Sequence, residues 1–216
     1  MSNTDLQREL TSLLLRHLAS YSFALAGSGA AREHGLISRP TQDIDVFARS
    51  TISQDSYDEA LESLPRFMTR YGWHTEIERR GPTYSRCIFT RDQDTLEVDL
   101  GIDWRAHEPT MTPLGPVLSL EDAISAKLSA LYSRAYPRDF LDAYNIRKNS
   151  TYTDEELLML LKERDPGFDR EMFAIQLESI QRFHSWPLET YEVSAEEFED
   201  VKASTLAWAQ DIRASL

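Results

Sequence analysis

Two acids placed two residues apart inside an apolar run constrain this chain more than any other feature. Asp43-Ile44-Asp45-Val46 reads as an extended strand. In a strand, side chains i and i+2 share one face about 6.7 Å apart. Asp43 and Asp45 then present two carboxylates side by side while Ile44 and Val46 face a core. A second segment repeats the arrangement, because Leu96, Val98 and Leu100 alternate with Glu97, Asp99 and Gly101. That alternation puts the apolar set on one face and the acids on the other, so Asp99 is expected as a third carboxylate from a neighbouring strand. Three close carboxylates repel one another unless cations sit between them. Mg²⁺ suits such a cage, since it takes carboxylate oxygens and keeps water and phosphate oxygens at its other positions. Two such ions on Asp43, Asp45 and Asp99 would clamp the attacking and leaving oxygens of an in-line phosphoryl transfer.

Ala26-Gly27-Ser28 precedes the paired acids by a fourteen-residue spacer. Tyr21 to Ala26 is a short apolar run of strand character, and residues 29–34 have helix-forming character, so Gly27-Ser28 falls where a strand ends and a helix begins. Free backbone N–H groups and the positive end of a helix dipole favour a phosphate at such a turn, and glycine lets it approach the main chain. Ser28 adds a hydroxyl donor. Alone, the pair reads equally well as a turn with no ligand, and Asp-x-Asp alone is no more specific. Together, a phosphate cradle, paired carboxylates and a later lone strand carboxylate come in the order that nucleotidyl transfer needs.

The stretch from Phe23 to Phe47, FALAGSGAAREHGLISRPTQDIDVF, resembles the nucleotidyltransferase superfamily and, more narrowly, the AbiEii/AbiGii toxin family that includes MenT-like toxins. A second signature matches further on: Ser119 to Leu131, a helix carrying Lys127, followed by Arg134, Arg138-Asp139 and Asp142. The resemblance implies transfer of a nucleoside monophosphate from an NTP substrate to an acceptor, with Mg²⁺ required and pyrophosphate released. It implies an RNA acceptor at the tRNA 3′ end, as in MenT-type toxins, and a winged-helix antitoxin as cognate partner. Residue by residue it carries Gly27, Ser28, Asp43, Asp45, Lys127 and Asp142 onto this chain, whereas Asp99 rests on the superfamily's third-carboxylate position. The implied fold is α+β, a nucleotidyltransferase-like mixed β-sheet core flanked by helices, with a helical C-terminal region.

The residues of the second signature have their own physical reading. Leu120, Ile124, Leu128 and Leu131 form an apolar stripe, which puts Lys127 on a helix but off its core face. It reads as a point cation for triphosphate charge, or as a solvated lysine. Pro137 ends that helix and opens another, so Asp139 reads as a first-turn carboxylate. Asp142 reads either as the group that orients Lys127 or the acceptor nucleophile, or as the ion-pair partner of Arg138 or Arg134. Arg39, just ahead of the paired acids, is either a phosphate contact or an exposed loop arginine. His17, His34, His74, His107 and His184 show no metal-ligand spacing among themselves or with Cys87.

Charge limits the acceptor. The 216-residue chain has a formal net charge of −13, which opposes broad nonspecific attraction to nucleic acid. Residues 1–150 carry 17 basic and 21 acidic side chains, but residues 151–216 carry 6 and 15. A local basic patch around Arg32, Arg39, Lys127, Arg134 and Arg138 is compatible with that distribution, and the acidic segment would face a basic partner or solvent. A small cationic acceptor of the aminoglycoside kind is the alternative substrate, and a nucleotide- or partner-binding protein without turnover is the alternative class. The N-terminal helix is amphipathic and interrupted by Arg8, Glu9 and Arg16, unlike a signal peptide or a membrane span. With one cysteine there is no internal disulfide, and the cytoplasm is the expected compartment.

The periodicity predicts helices near 5–19, 29–35 and 55–70, and strands near 22–26, 43–48, 73–78, 84–91 and 94–101. Asp92-Gln93-Asp94 is expected as a hairpin turn. Residues 105–117, with three prolines and a glycine, are expected to be loop. Residues 1–104 are expected as the nucleotidyltransferase core and 105–216 as a helical region completing the active-site cleft. Thr153 and Glu156 form a capping box opening a helix to about Arg164, with further helices from Asp169 to His184 and Ser194 to Arg213 and a loop at Trp186-Pro187.

Overall fold

The computed structural model describes residues 3–41, 43–183 and 191–216; His184 and the Trp186-Pro187 loop lie outside them. The chain has an α+β fold and divides into two compact units. The first comprises Met1–Glu33 and Thr41–Ser119, the second His34–Pro40 and Leu120–Leu216.

The first unit is built on a mixed sheet of β1 (Phe23–Leu25), β2 (Asp43–Arg49), β3 (His74–Arg80), β4 (Tyr84–Arg91), β5 (Asp94–Asp103), β6 (Thr110–Thr112) and β7 (Gly115–Val117). Among the described residues the strand order is β3-β4-β5-β2-β1-β7-β6. The β4–β5 hairpin closes at Asp92, whose φ of 56° is left-handed, a conformation Asp tolerates better than most residues. β2 runs parallel to β5 and antiparallel to β1, so it is central and its alternate residues Ile44, Val46 and Ala48 are buried. β3, at the sheet edge, carries Glu76, Glu78, Arg79 and Arg80, charges that discourage pairing with another chain.

Among the described residues this unit has the α-helices α1 (Asn3–Leu18), α2 (Gly27–Glu33) and α3 (Gln54–Thr69). α1 buries Leu6, Leu10, Leu13, Leu14 and Leu18, and α3 buries Tyr57, Ala60, Leu61, Leu64 and Met68. Both sets recur at the spacing of one helical face. Tyr57 stacks against Phe23, with centroids 6.0 Å apart, and donates its hydroxyl proton to the Leu100 carbonyl at 3.0 Å. The α3 N-terminus is capped by Ser53, which accepts from the Ser56 N–H at 3.1 Å.

Of the expected loop at 105–117, residues 105–109 have no regular structure, but 110–117 form a short hairpin, β6–β7, which docks on β1 through the pair Leu25↔Val117 and the bond from Leu118 N–H to the Leu25 carbonyl at 2.9 Å. Strands of three residues are too short for alternation to mark them, and the free edge of β1 supplies the pairing. Gly115, at φ 131°, meets α1 there: a Cβ on it would lie 2.9 Å from Cβ of Leu15.

The second unit is helical, with α4 (Leu120–Ser133), α5 (Pro137–Asn149), α6 (Asp154–Arg164), α7 (Arg170–Glu178) and α8 (Ala195–Ala214). Pro137 occupies the first turn of α5, where its missing N–H is not needed. Thr153 and Glu156 form the capping box of α6, and Ser194 caps α8. The helix expected to run on from Asp169 tightens into a 3₁₀ turn at Ser179–Arg182. Tyr132, Phe168, Phe173 and Trp208 pack edge to face in the core of this unit. Among the described residues no helix is long and apolar enough to cross a membrane.

Candidate active site

Backbone pairing brings the strand acids together. Parallel register sets Asp43 opposite Glu97 and Asp45 opposite Asp99, so the acid-bearing faces of β2 and β5 coincide. Asp43, Asp45 and Asp99 each offer one carboxylate oxygen within 4.8 Å of the others. Asp43 and Asp45 are half-buried and Asp99 is buried. Such a set of hard oxygen donors fits a divalent cation of the Mg²⁺ or Mn²⁺ type.

Gly27 is fitted to the same cluster. Ala26 N–H donates to the Asp45 carbonyl at 2.8 Å as the chain leaves β1, and Gly27 then takes φ 53° at the start of α2. A Cβ here would lie 1.8 Å from Oδ2 of Asp45 and 2.5 Å from its Cγ. Glycine is therefore required by the Asp45 carboxylate as well as by the backbone conformation. Ser28, the next residue, is buried.

Asp99 has two partners that the sequence reading did not name. Tyr84 donates its hydroxyl proton to Oδ1 at 2.8 Å, and Arg86 donates from Nε to Oδ1 at 2.8 Å and from Nη2 to Oδ2 at 2.9 Å. The Asp99 hydrogen bonds hold the Arg86 pKa above the ordinary arginine value, and burial, then the bond to Asp99, raises that of Tyr84. The hairpin contained the signal. With Arg91 opposite Asp94, counting five residues back along β4 and five forward along β5 sets Arg86 opposite Asp99.

The second-signature residues form a separate constellation inside the second unit. Lys127, on α4, is buried, and its Nζ lies 2.9 Å from Oδ2 of Asp142 on α5. Arg39 donates to the same carboxylate from Nε to Oδ1 at 2.7 Å and from Nη2 to Oδ2 at 2.8 Å. The guanidinium also donates from Nη1 to the Pro40 carbonyl and lies over the Tyr191 ring, 5.8 Å from its centroid. Burial alone would raise the Asp142 pKa, but the Lys127 charge and the Arg39 hydrogen bonds outweigh it and the net shift is downward.

For three residues one of the two alternatives open from the sequence is excluded. Lys127 is no solvated lysine, Arg39 is no exposed loop arginine, and Asp142 pairs with neither Arg134 nor Arg138 but with Lys127 and Arg39. The physical reason is burial. A carboxylate without solvent exposure needs cations held beside it, and one comes from a segment 103 residues earlier in the chain. Arg134 instead grips Asp139 by both oxygens at 2.9 Å, while Asp139 accepts from the Tyr136 N–H at 3.0 Å at the head of α5.

A mixed sheet presenting paired carboxylates beside a strand-to-helix glycine defines a protein of the nucleotidyltransferase class. The family model described as nucleotidyl transferase AbiEii toxin, type IV TA system, matches residues 9–214, and the chain belongs to that family. Solved structures that share the fold include the following two. JHP933 from Helicobacter pylori superposes with TM-score 0.58 at 18% identity, covering 100% of this chain and 94% of its own. MenT4, a nucleotidyltransferase toxin from Mycobacterium tuberculosis H37Rv, superposes with TM-score 0.65 at 15% identity, covering 95% of this chain and 83% of its own. No curated protein matches the chain.

Proposed function

We propose that this protein transfers a nucleoside monophosphate from an NTP to RNA, at the tRNA 3′ end, with Mg²⁺ as cofactor and pyrophosphate as the second product. The observation that carries this reading is the convergence of Asp43, Asp45 and Asp99 within 4.8 Å beside Gly27. Asp43 and Asp45 would hold the metal, with Asp99 supplying a third oxygen. Bound there, Mg²⁺ would neutralise charge on the triphosphate and lower the pKa of the attacking hydroxyl. Gly27 and Ser28, at the strand-to-helix turn, would offer backbone N–H groups and a hydroxyl to a phosphate. In the second unit, Lys127 is the residue that the family signature offers as a point cation for a nucleotide. Asp142 orients Lys127, and Arg39 holds Asp142 through both of its oxygens.

Membership of a family of type IV toxins supports a toxin role opposed by a cognate winged-helix antitoxin, acting in the cytoplasm where NTPs and tRNA are found. The test incubates the protein and its Asp43→Asn/Asp45→Asn variant with Mg²⁺, each α-³²P-labelled NTP in turn and total tRNA, followed by a denaturing gel. Label on tRNA with the intact protein alone is the expected result. Label retained by a folded variant would overturn the mechanism. No label on any RNA, together with label on an aminoglycoside offered in a parallel reaction and resolved by thin-layer chromatography, would replace the acceptor, in keeping with the acidic residues 151–216.

A further inference from the structure

We infer that Arg86 acts as a fixed internal cation that limits the carboxylate cluster to one divalent ion, where the acid pattern alone suggested two. The inference rests on the reading of Asp43, Asp45 and Asp99 as a metal site and deepens it. An ionised carboxylate has about four lone-pair positions. On Asp99, Oδ1 accepts from both Tyr84 and Arg86, and Oδ2 accepts from Arg86. One position on Oδ2 is left, so Asp99 can serve one ion and cannot bridge a pair with one ion on each oxygen.

Charge points the same way. A guanidinium stays protonated under all working conditions, and this one is bidentate on a carboxylate whose side chain is only 10% exposed, the geometry in which such pairs are strong. It cancels one of the three negative charges and leaves a cluster that one divalent ion neutralises. Arg86 also reaches Oε2 of Glu97 at 3.2 Å, but that side chain is 50% exposed, and solvent weakens the pairing. The placement is built into the sheet, since the β4–β5 register sets Arg86 opposite Asp99. Arg86 is thus a positioning residue that acts through Asp99.

The test counts Mn²⁺ bound to the full chain without nucleotide, by electron paramagnetic resonance, above the background of the Asp43→Asn/Asp45→Asn variant. The intact protein should bind one ion, and Arg86→Lys, which keeps the charge, should also bind one. Arg86→Gln should bind two, with the spin–spin coupled spectrum expected of neighbouring ions. Should circular dichroism show Arg86→Gln unfolded, Arg86→Thr takes its place with the same expected count. Two ions on the intact protein would overturn the inference and leave the metal site standing, as would a single ion on the folded neutral variant. No ion above background on the intact protein would remove the metal site and the inference together.

Discussion

Arg39 and Asp142, 103 residues apart in sequence, are joined through both carboxylate oxygens, with side chains only 7% and 0% exposed. Lys127 completes the group at 2.9 Å, so one buried acid is held by two cations. Removing Arg39 leaves Asp142 paired with Lys127 alone and two charge-assisted hydrogen bonds unmade, a loss of about 1.5–3 kcal/mol. Arg39→Ala should lower the unfolding free energy of the protein by about that amount in urea titrations. Lys127→Met should cost less, because Asp142 keeps its bidentate partner. A loss under about 1 kcal/mol for Arg39→Ala would contradict the role given to this pair.

Acid should expose the same group. The Asp142 pKa is lowered in the folded protein despite burial, by the Lys127 charge and the Arg39 hydrogen bonds. A carboxylate whose folded pKa lies below its unfolded value of about 3.9 stabilises the fold above that value, and the contribution is lost as pH falls through the folded pKa. Thermal unfolding followed from pH 7 to pH 3 should therefore show a steep loss of stability below about pH 4. Asp142→Asn should be less stable at pH 7 and show a shallower decline, so that the two curves converge in acid. Parallel curves would place the acid sensitivity elsewhere.

Gly27→Ala should damage the metal site more than the fold. The left-handed backbone at this position costs an L-residue about 1–2 kcal/mol, and the new methyl would lie 1.8 Å from Oδ2 of Asp45. Asp45 must then rotate away. Mn²⁺ affinity should fall at least about tenfold, which corresponds to about 1.4 kcal/mol, and labelled nucleotide transfer should be lost. An alanine variant with unchanged Mn²⁺ affinity would show that Asp45 does not need this glycine.

Cys87 offers a reporter of sheet opening. It is fully buried on β4, and burial, with the Asp99 charge, pushes its thiol up to about 12. The thiolate is the reactive species, so a maleimide at pH 7 should leave the native protein unmodified for hours and label it promptly in denaturant. Prompt labelling of the native chain would mean that β4 opens readily.

The strand acids were legible in the sequence because they sit in long alternating segments, and the period of two decides which face they share. The β4–β5 hairpin was legible from its turn, and counting from that turn would also have yielded Arg86. Arg39 was not legible as the partner of Asp142. Its segment, Leu36-Ile37-Ser38-Arg39-Pro40, has no period, and nothing local says that its guanidinium is buried on a helix 103 residues away. Lys127 was placed on the correct helix, but its surroundings stayed open between a charged site and solvent, because an apolar stripe marks where hydrophobic side chains go and says nothing about a carboxylate beside it. The β6–β7 hairpin was hidden for another reason: each strand is only three residues long, and its pairing comes from the edge of β1.

The short passage His34–Pro40 has a consequence for how this protein can be taken apart. It is flanked in sequence by α2 and β2 of the first unit, yet it packs with the helices of the second. The helical half is therefore not a transplantable module. A hybrid that joins Leu120–Leu216 to a foreign core would inherit Asp142 and Lys127 but leave the Arg39 guanidinium behind, unless residues 34–40 travelled with it.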